Sequence, residues 1–179
     1  MSNNKASRIA LYIDGENLFS AARELGFQVD FTRLKDFFGR QGIVLRASIY
    51  WPVDDDTEST PPRPLLDWLD HHGYRVVTMP GSIVDQEHSQ RTSRADMKVE
   101  LAVDALCYGV HVDQVIFFAG SSDFRTLFAA IQRQGARVTV VSTLKTDPPF
   151  ISDELRRQAD KFIDLAELKP AIALDNWGA

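Results

Sequence analysis

The sequence predicts an α/β fold with a mostly parallel, doubly wound sheet of five to six strands flanked by helices. Three observations carry this. Short apolar runs alternate with helical patterns along most of the chain, as in a succession of βα units. Two runs, Val115-Ile116-Phe117-Phe118 and Val138-Thr139-Val140-Val141, are almost continuous in apolar residues, as strands covered on both faces are. The first run ends on Asp14-Gly15-Glu16-Asn17, polar residues placed where open α/β sheets bind ligands, beyond the carboxyl ends of their strands.

In chain order, strands are expected at Ile9–Ile13, Ile43–Tyr50, Tyr74–Met79, Gln114–Ala119 and Arg137–Ser142. Helices are expected at about Leu18–Leu25, Phe31–Gly39, Pro61–His72, Asp96–Tyr108, Phe124–Gln134 and Ser152–Ala159. Thr60 before Pro61 is a helix start, and Gly73 after His71-His72 and Gly135 after Arg133-Gln134 are helix stops. Between these elements, Val53–Thr60 carries an acidic run and Ser82–Arg94 is a long polar connection, the length at which loops are usually functional or disordered. With 179 residues, 44% of them hydrophobic, the chain suits a single domain over 1–179, its core about 8–168 and its tail short, folding back through Trp177 or frayed. No repeat or Gly/Ser/Pro-rich linker divides it.

Composition narrows the function. A formal charge of -5 argues against a broad grip on polyanions, so any nucleic-acid contact must be local. The single cysteine rules out an internal disulfide, and the first residues lack the apolar core of a signal peptide, which together suggest a cytoplasmic protein. No apolar run approaches the roughly 20 residues that span a bilayer. Cys107, among Val103, Ala105 and Leu106, reads as buried packing, and Trp68 as core.

Acids concentrate where the fold would bring strand ends together. In a doubly wound sheet, strands one and four flank the crevice at which strand order reverses, so Asp14 and Asp123 are expected at one edge. The helix before strand four adds Asp96, Glu100 and Asp104, the first two sharing a face. Converging carboxylates repel unless a cation lies between them. Mg²⁺ (or Mn²⁺) is the usual solution, held by a few carboxylates with water and substrate phosphate, and it activates water for phosphodiester displacement. Asn17 would orient a phosphate oxygen or the attacking water, and Ser121 and Ser122 at a helix start would hold phosphate. Arg94 and Lys98, with Arg91, would neutralise phosphates beside the crevice. Each acid also has a structural alternative: Asp14 as a turn residue, Asp123 as a helix-start acid behind a capping Ser122, and Asp96 in a capping box with Ser93.

The segments Tyr12-Ile13-Asp14-Gly15-Glu16-Asn17, Val99-Glu100-Leu101-Ala102-Val103-Asp104-Ala105-Leu106 and Gly120-Ser121-Ser122-Asp123-Phe124 resemble the three motifs of NYN domains, part of the PIN-like nuclease superfamily. Ser152-Asp153-Glu154-Leu155 and the following Ala159–Leu165 are similar to the terminal motif of the bacterial LabA-like branch. The resemblance spans Ile9 to Leu165 and implies a Rossmann-like, PIN-like sheet and a Mg²⁺-dependent endoribonuclease. Its metal ligands would be Asp14, Asp96 and Asp123, with Asp104 as a further catalytic acid. Two positions depart from the pattern. Ser121 stands where members usually carry an aspartate, and Lys98 stands six residues before Asp104, where they tend to carry another.

The expectation is therefore a ribonuclease. Its alternative is a catalytically degenerate NYN protein that binds RNA, nucleotide or a protein partner in a regulatory role. A receiver-like domain is excluded because strand three ends on Met79-Pro80-Gly81 rather than an aspartate, and a dinucleotide enzyme because no G-x-G-x-x-G follows strand one. A homodimer is allowed, with Ser82–Arg94 as the surface to pack on a neighbour, but no pattern demands it.

Overall fold

The computed structural model describes residues 6–53, 63–80 and 97–175. Its strands form one all-parallel, six-stranded sheet in the order β3-β2-β1-β4-β5-β6. The chain runs β1 (Arg8–Asp14), α1 (Gly15–Glu24), α2 (Phe31–Gly39), β2 (Ile43–Val53), α3 (Arg63–His71) and β3 (Arg75–Pro80). It continues through α4 (Lys98–Gly109), β4 (Gln114–Phe118), a 3-10 turn at Ser122–Phe124, α5 (Arg125–Arg133), β5 (Arg137–Ser142), α6 (Asp153–Gln158), β6 (Lys161–Asp164) and α7 (Leu165–Ile172).

Alternation along each central strand feeds two cores. Ile9, Leu11 and Ile13 of β1 and Ile116 and Phe118 of β4 enter one core with α1, α2, α3 and α7. Ala10, Tyr12, Val115 and Phe117 point the other way, into a core with α4, α5 and α6. Central strands buried on both faces need continuous apolar sequence. The helices close locally. Asp30 caps α2 by accepting from Arg33 N–H at 3.0 Å, and Gly135 ends the α5 region at φ 95°, a conformation that favours glycine.

The C-terminal region is more ordered than expected. β6 pairs with β5, and Asp164 caps α7 by accepting from Ala166 N–H at 3.0 Å. Beyond it the tail folds back as Ala173 bridges Val29 and Leu174 N–H donates to Gln28 carbonyl at 2.9 Å. Trp177 lies outside the described residues. Two burial expectations fail: Cys107 is exposed, and Trp68 lies at the surface stacked on His72 with ring centroids 3.9 Å apart. Apolar sequence neighbours sit about 100° apart on a helix, so they do not share a residue's burial. No helix among the described residues is long and apolar enough to cross a membrane.

Candidate active site

Strand order reverses at β1. The chain first builds outward through β2 and β3, then returns to place β4 on the other side of β1, with Ile13 in register with Phe118. The helices that follow β1 and β4 depart to opposite faces of the sheet, which leaves a crevice between the two strand ends.

Asp14 is the last residue of β1 and the N-cap of α1, its Oδ1 accepting from Asn17 N–H at 3.1 Å. The structural role of the turn is thus real, and it also fixes the half-buried carboxylate at the crevice. Gly15 is required next: a Cβ there would stand 2.6 Å from the Trp51 ring. Trp51 is itself buried and tilted against Phe19, so it is closed to base stacking.

Asn17 is committed to protein contacts. Its Nδ2 donates to the Phe150 carbonyl at 3.2 Å, while the Ser142 hydroxyl lies 3.4 Å from its Oδ1. These bonds tie the β1–α1 turn to the loop 143–152 that follows β5. Gly120 receives that loop at close range, since a Cβ there would fall 1.6 Å from the Phe150 oxygen and 2.9 Å from Asn17 Nδ2. The Gly120 carbonyl also accepts from Ser152 N–H at 2.9 Å. One latch therefore holds β1, β4 and β5 ends together.

Beyond Gly120, Ser121 rather than Ser122 caps the turn: its hydroxyl accepts from Asp123 N–H at 3.3 Å and donates to Asp123 Oδ2 at 2.9 Å. Ser122 opens the turn and is half-buried. The same Asp123 oxygen accepts from Lys98 Nζ at 2.8 Å. Lys98 foremost, then Ser121, holds the exposed Asp123 carboxyl below the usual carboxylate range. Lys98 reaches it because α4 runs antiparallel to the strands and puts its first turn at their carboxyl edge.

Asp104 belongs elsewhere. It lies roughly 9 Å farther along α4, where it accepts from the Tyr50 hydroxyl at 2.6 Å and pairs with Arg75. Burial alone would raise its pKa, but those bonds outweigh it and keep the group below the usual range. Glu100, between the two clusters, has its Oε2 buried with no hydrogen-bond partner among the described residues. Arg94, Asp96 and the loop Ser82–Arg94 lie outside the described residues, and the helix starts at Lys98 with Met97 at its cap and no side-chain cap bond.

At the β1–β4 edge the structure joins Asp14 to Asn17, and Ser121 and Lys98 to Asp123, the two groups lying on either side of Gly120, which Asn17 approaches. Among the described residues, no group of three or more His, Cys, Asp or Glu gathers as a metal site. The Lys98 contact and the Asn17–Phe150 latch were not legible beforehand; the run Ala119-Gly120 was the one local hint of a close backbone approach.

A family model, the NYN domain, matches residues 8–167, the whole of the sheet described above. The chain belongs to the NYN domain family. Members of this family are generally nucleases, which supports the nuclease class for this chain. Among curated proteins, this NYN chain is 28% identical over 172 residues to the "Low amplitude and bright protein LabA" of Synechococcus elongatus, covering 94% of this chain and 89% of that protein. It is 22% identical to the uncharacterized protein MJ0482 of Methanocaldococcus jannaschii, covering 89% of this chain but 56% of that protein. A crystal structure of the protein of unknown function VPA0982 from Vibrio parahaemolyticus superposes with a TM-score of 0.74 at 24% identity, over 92% of this chain and 96% of that one. That likeness bears on the fold.

Proposed function

We propose that this NYN protein is an endoribonuclease that hydrolyses RNA phosphodiester bonds in the crevice between β1 and β4. The carrying observation is that Asp14 closes β1 and the Gly120–Asp123 loop closes β4 where strand order reverses. Family membership supports the nuclease class.

On this reading Mg²⁺ or Mn²⁺ would be held in a two-carboxylate form, chemistry that suits an oxygen-only donor pair. Asp14 and Asp123 would hold the ion, with Asp96 as a third ligand from outside the described residues; Mg²⁺ accepts one or two carboxylates with water and phosphate. When bound, the ion supplies a water of lowered pKa and offsets charge on the phosphodiester. Lys98 now balances the charge of Asp123, and with RNA present its ammonium turns to a phosphate oxygen as a point charge, freeing the carboxylate. Ser121, Ser122 and Arg94 add phosphate contacts. Asn17 keeps the loop 143–152 in place.

The Lys98–Asp123 pair also favours a second reading, a regulatory binder of RNA that does not cut. The two readings part in one assay: incubation of the protein with mixed single-stranded and structured RNA plus Mg²⁺ or Mn²⁺, beside Asp14→Asn. Cleavage that Asp14→Asn abolishes supports the nuclease. RNA bound but left intact supports the binder, and neither binding nor cleavage refutes both.

A further inference from the structure

The outward face of α4 carries a row of aliphatic side chains where an amphipathic helix normally presents charge. Val99, Val103, Leu106 and Val110 are 68, 56, 37 and 53% exposed. They lie on the side of the helix away from Leu101, Ala105 and Gly109, which are buried against the fold. Of the two acids within this stretch, Asp104 turns toward Tyr50 and Arg75, and Glu100 has its Oε2 buried.

We propose that this row is a two-fold interface between two copies of this chain, with their α4 helices packed antiparallel. The inference does not depend on the nuclease reading. A two-fold interface must be complementary to itself, since the same patch serves both sides. The row satisfies this because its spacing of four, three and four residues reads the same in both directions. An antiparallel second copy sets Val99 against Val110 and Val103 against Leu106 at both ends at once. The same spacing is that of a coiled-coil seam, in which such positions interlock. Ala102 and Cys107 beside the seam are uncharged, and the same pairing sets the charged flank, Glu100, opposite Gly109 of the second copy rather than opposite another acid. Antiparallel packing also sets opposite helix dipole ends side by side.

The row is roughly 16 Å long, and one helix pair of that length covers less than the roughly 800 Å² per partner of a standard interface. Association is therefore weak and concentration-dependent. Sedimentation velocity of the full chain, from low micromolar to several hundred micromolar, tests it. The mass is expected to climb from 20.1 kDa toward twice that value. Val103→Glu combined with Leu106→Glu, both at exposed positions, should hold it at the monomer value throughout with an unchanged circular dichroism spectrum. If that variant unfolds, Val99→Lys at the most exposed position should give the same loss of dimer. A wild-type chain that stays monomeric at every concentration overturns the proposal. So does a dimer that survives the folded variants.

Discussion

The ammonium of Lys98 donates to Asp123 Oδ2 at 2.8 Å, joining the first turn of α4 to the loop that closes β4. A cation of the protein's own thus already pairs with one of the two carboxylates proposed to hold a metal. Lys98→Met should raise the Asp123 pKa back toward the ordinary carboxylate range, read by NMR titration of the Asp123 side chain. If Lys98 also meets RNA phosphate, the same variant should reduce the slope of log affinity against log salt by about one. An unchanged slope would confine Lys98 to its ion pair.

Asp104 is expected to act on stability rather than on cleavage. Asp104→Asn should cost about 1–3 kcal/mol, because Arg75 and Tyr50 lose a charged acceptor. Its folded pKa lies below the unfolded value, so its stabilisation is present above roughly pH 4 and is lost as pH falls through the folded value. Urea denaturation should therefore show a larger gap between wild type and variant at neutral pH than in acid. A variant of native stability that no longer cuts RNA would return Asp104 to the chemistry.

Three of the four tyrosines are predicted to titrate late. Burial, foremost, pushes Tyr12 up to about 12 and raises Tyr50 and Tyr74 as well. Their folded pKa values exceed the unfolded value of about 10, so their stabilisation is complete below that pH and disappears as pH rises through the folded values. Tyrosinate absorbance and loss of circular dichroism should consequently rise together in alkaline titration. Early, separate ionisation of all the tyrosines would contradict the packing of Tyr12 on Tyr50 and Phe117.

Gly120→Ala should open the latch at the crevice. Its Cβ would meet the Phe150 carbonyl oxygen at 1.6 Å, a backbone atom that cannot swing aside, so the loop 143–152 must move. The expected cost is about 2 kcal/mol or more. Amide exchange should quicken at Ser152, whose N–H bonds to Gly120.

The sequence revealed what depends on local pattern. Phe31–Gly39 is recovered to the residue because Asp30 caps it and its apolar face is periodic. The polar end of β1 pointed to Asp14, and near-continuous apolar runs pointed to central β4 and β5. β6 escaped because four residues, with only Phe162 and Ile163 partly buried, are too few to show a period. Side-chain partnerships were invisible for a different reason. Lys98 meets Asp123 across 25 residues and Tyr50 meets Asp104 across 54, and only the folded sheet makes them neighbours.

The account stands on Asp14 and Asp123 serving one phosphodiester site. A crystal grown with Mn²⁺ and a short RNA, measured at the manganese absorption edge, addresses this directly. The expected map has an anomalous peak coordinated by both Asp14 and Asp123, with Lys98 moved onto a phosphate. Manganese found away from these carboxylates, or RNA bound with Lys98 still on Asp123 and no ion between the strand ends, would contradict it.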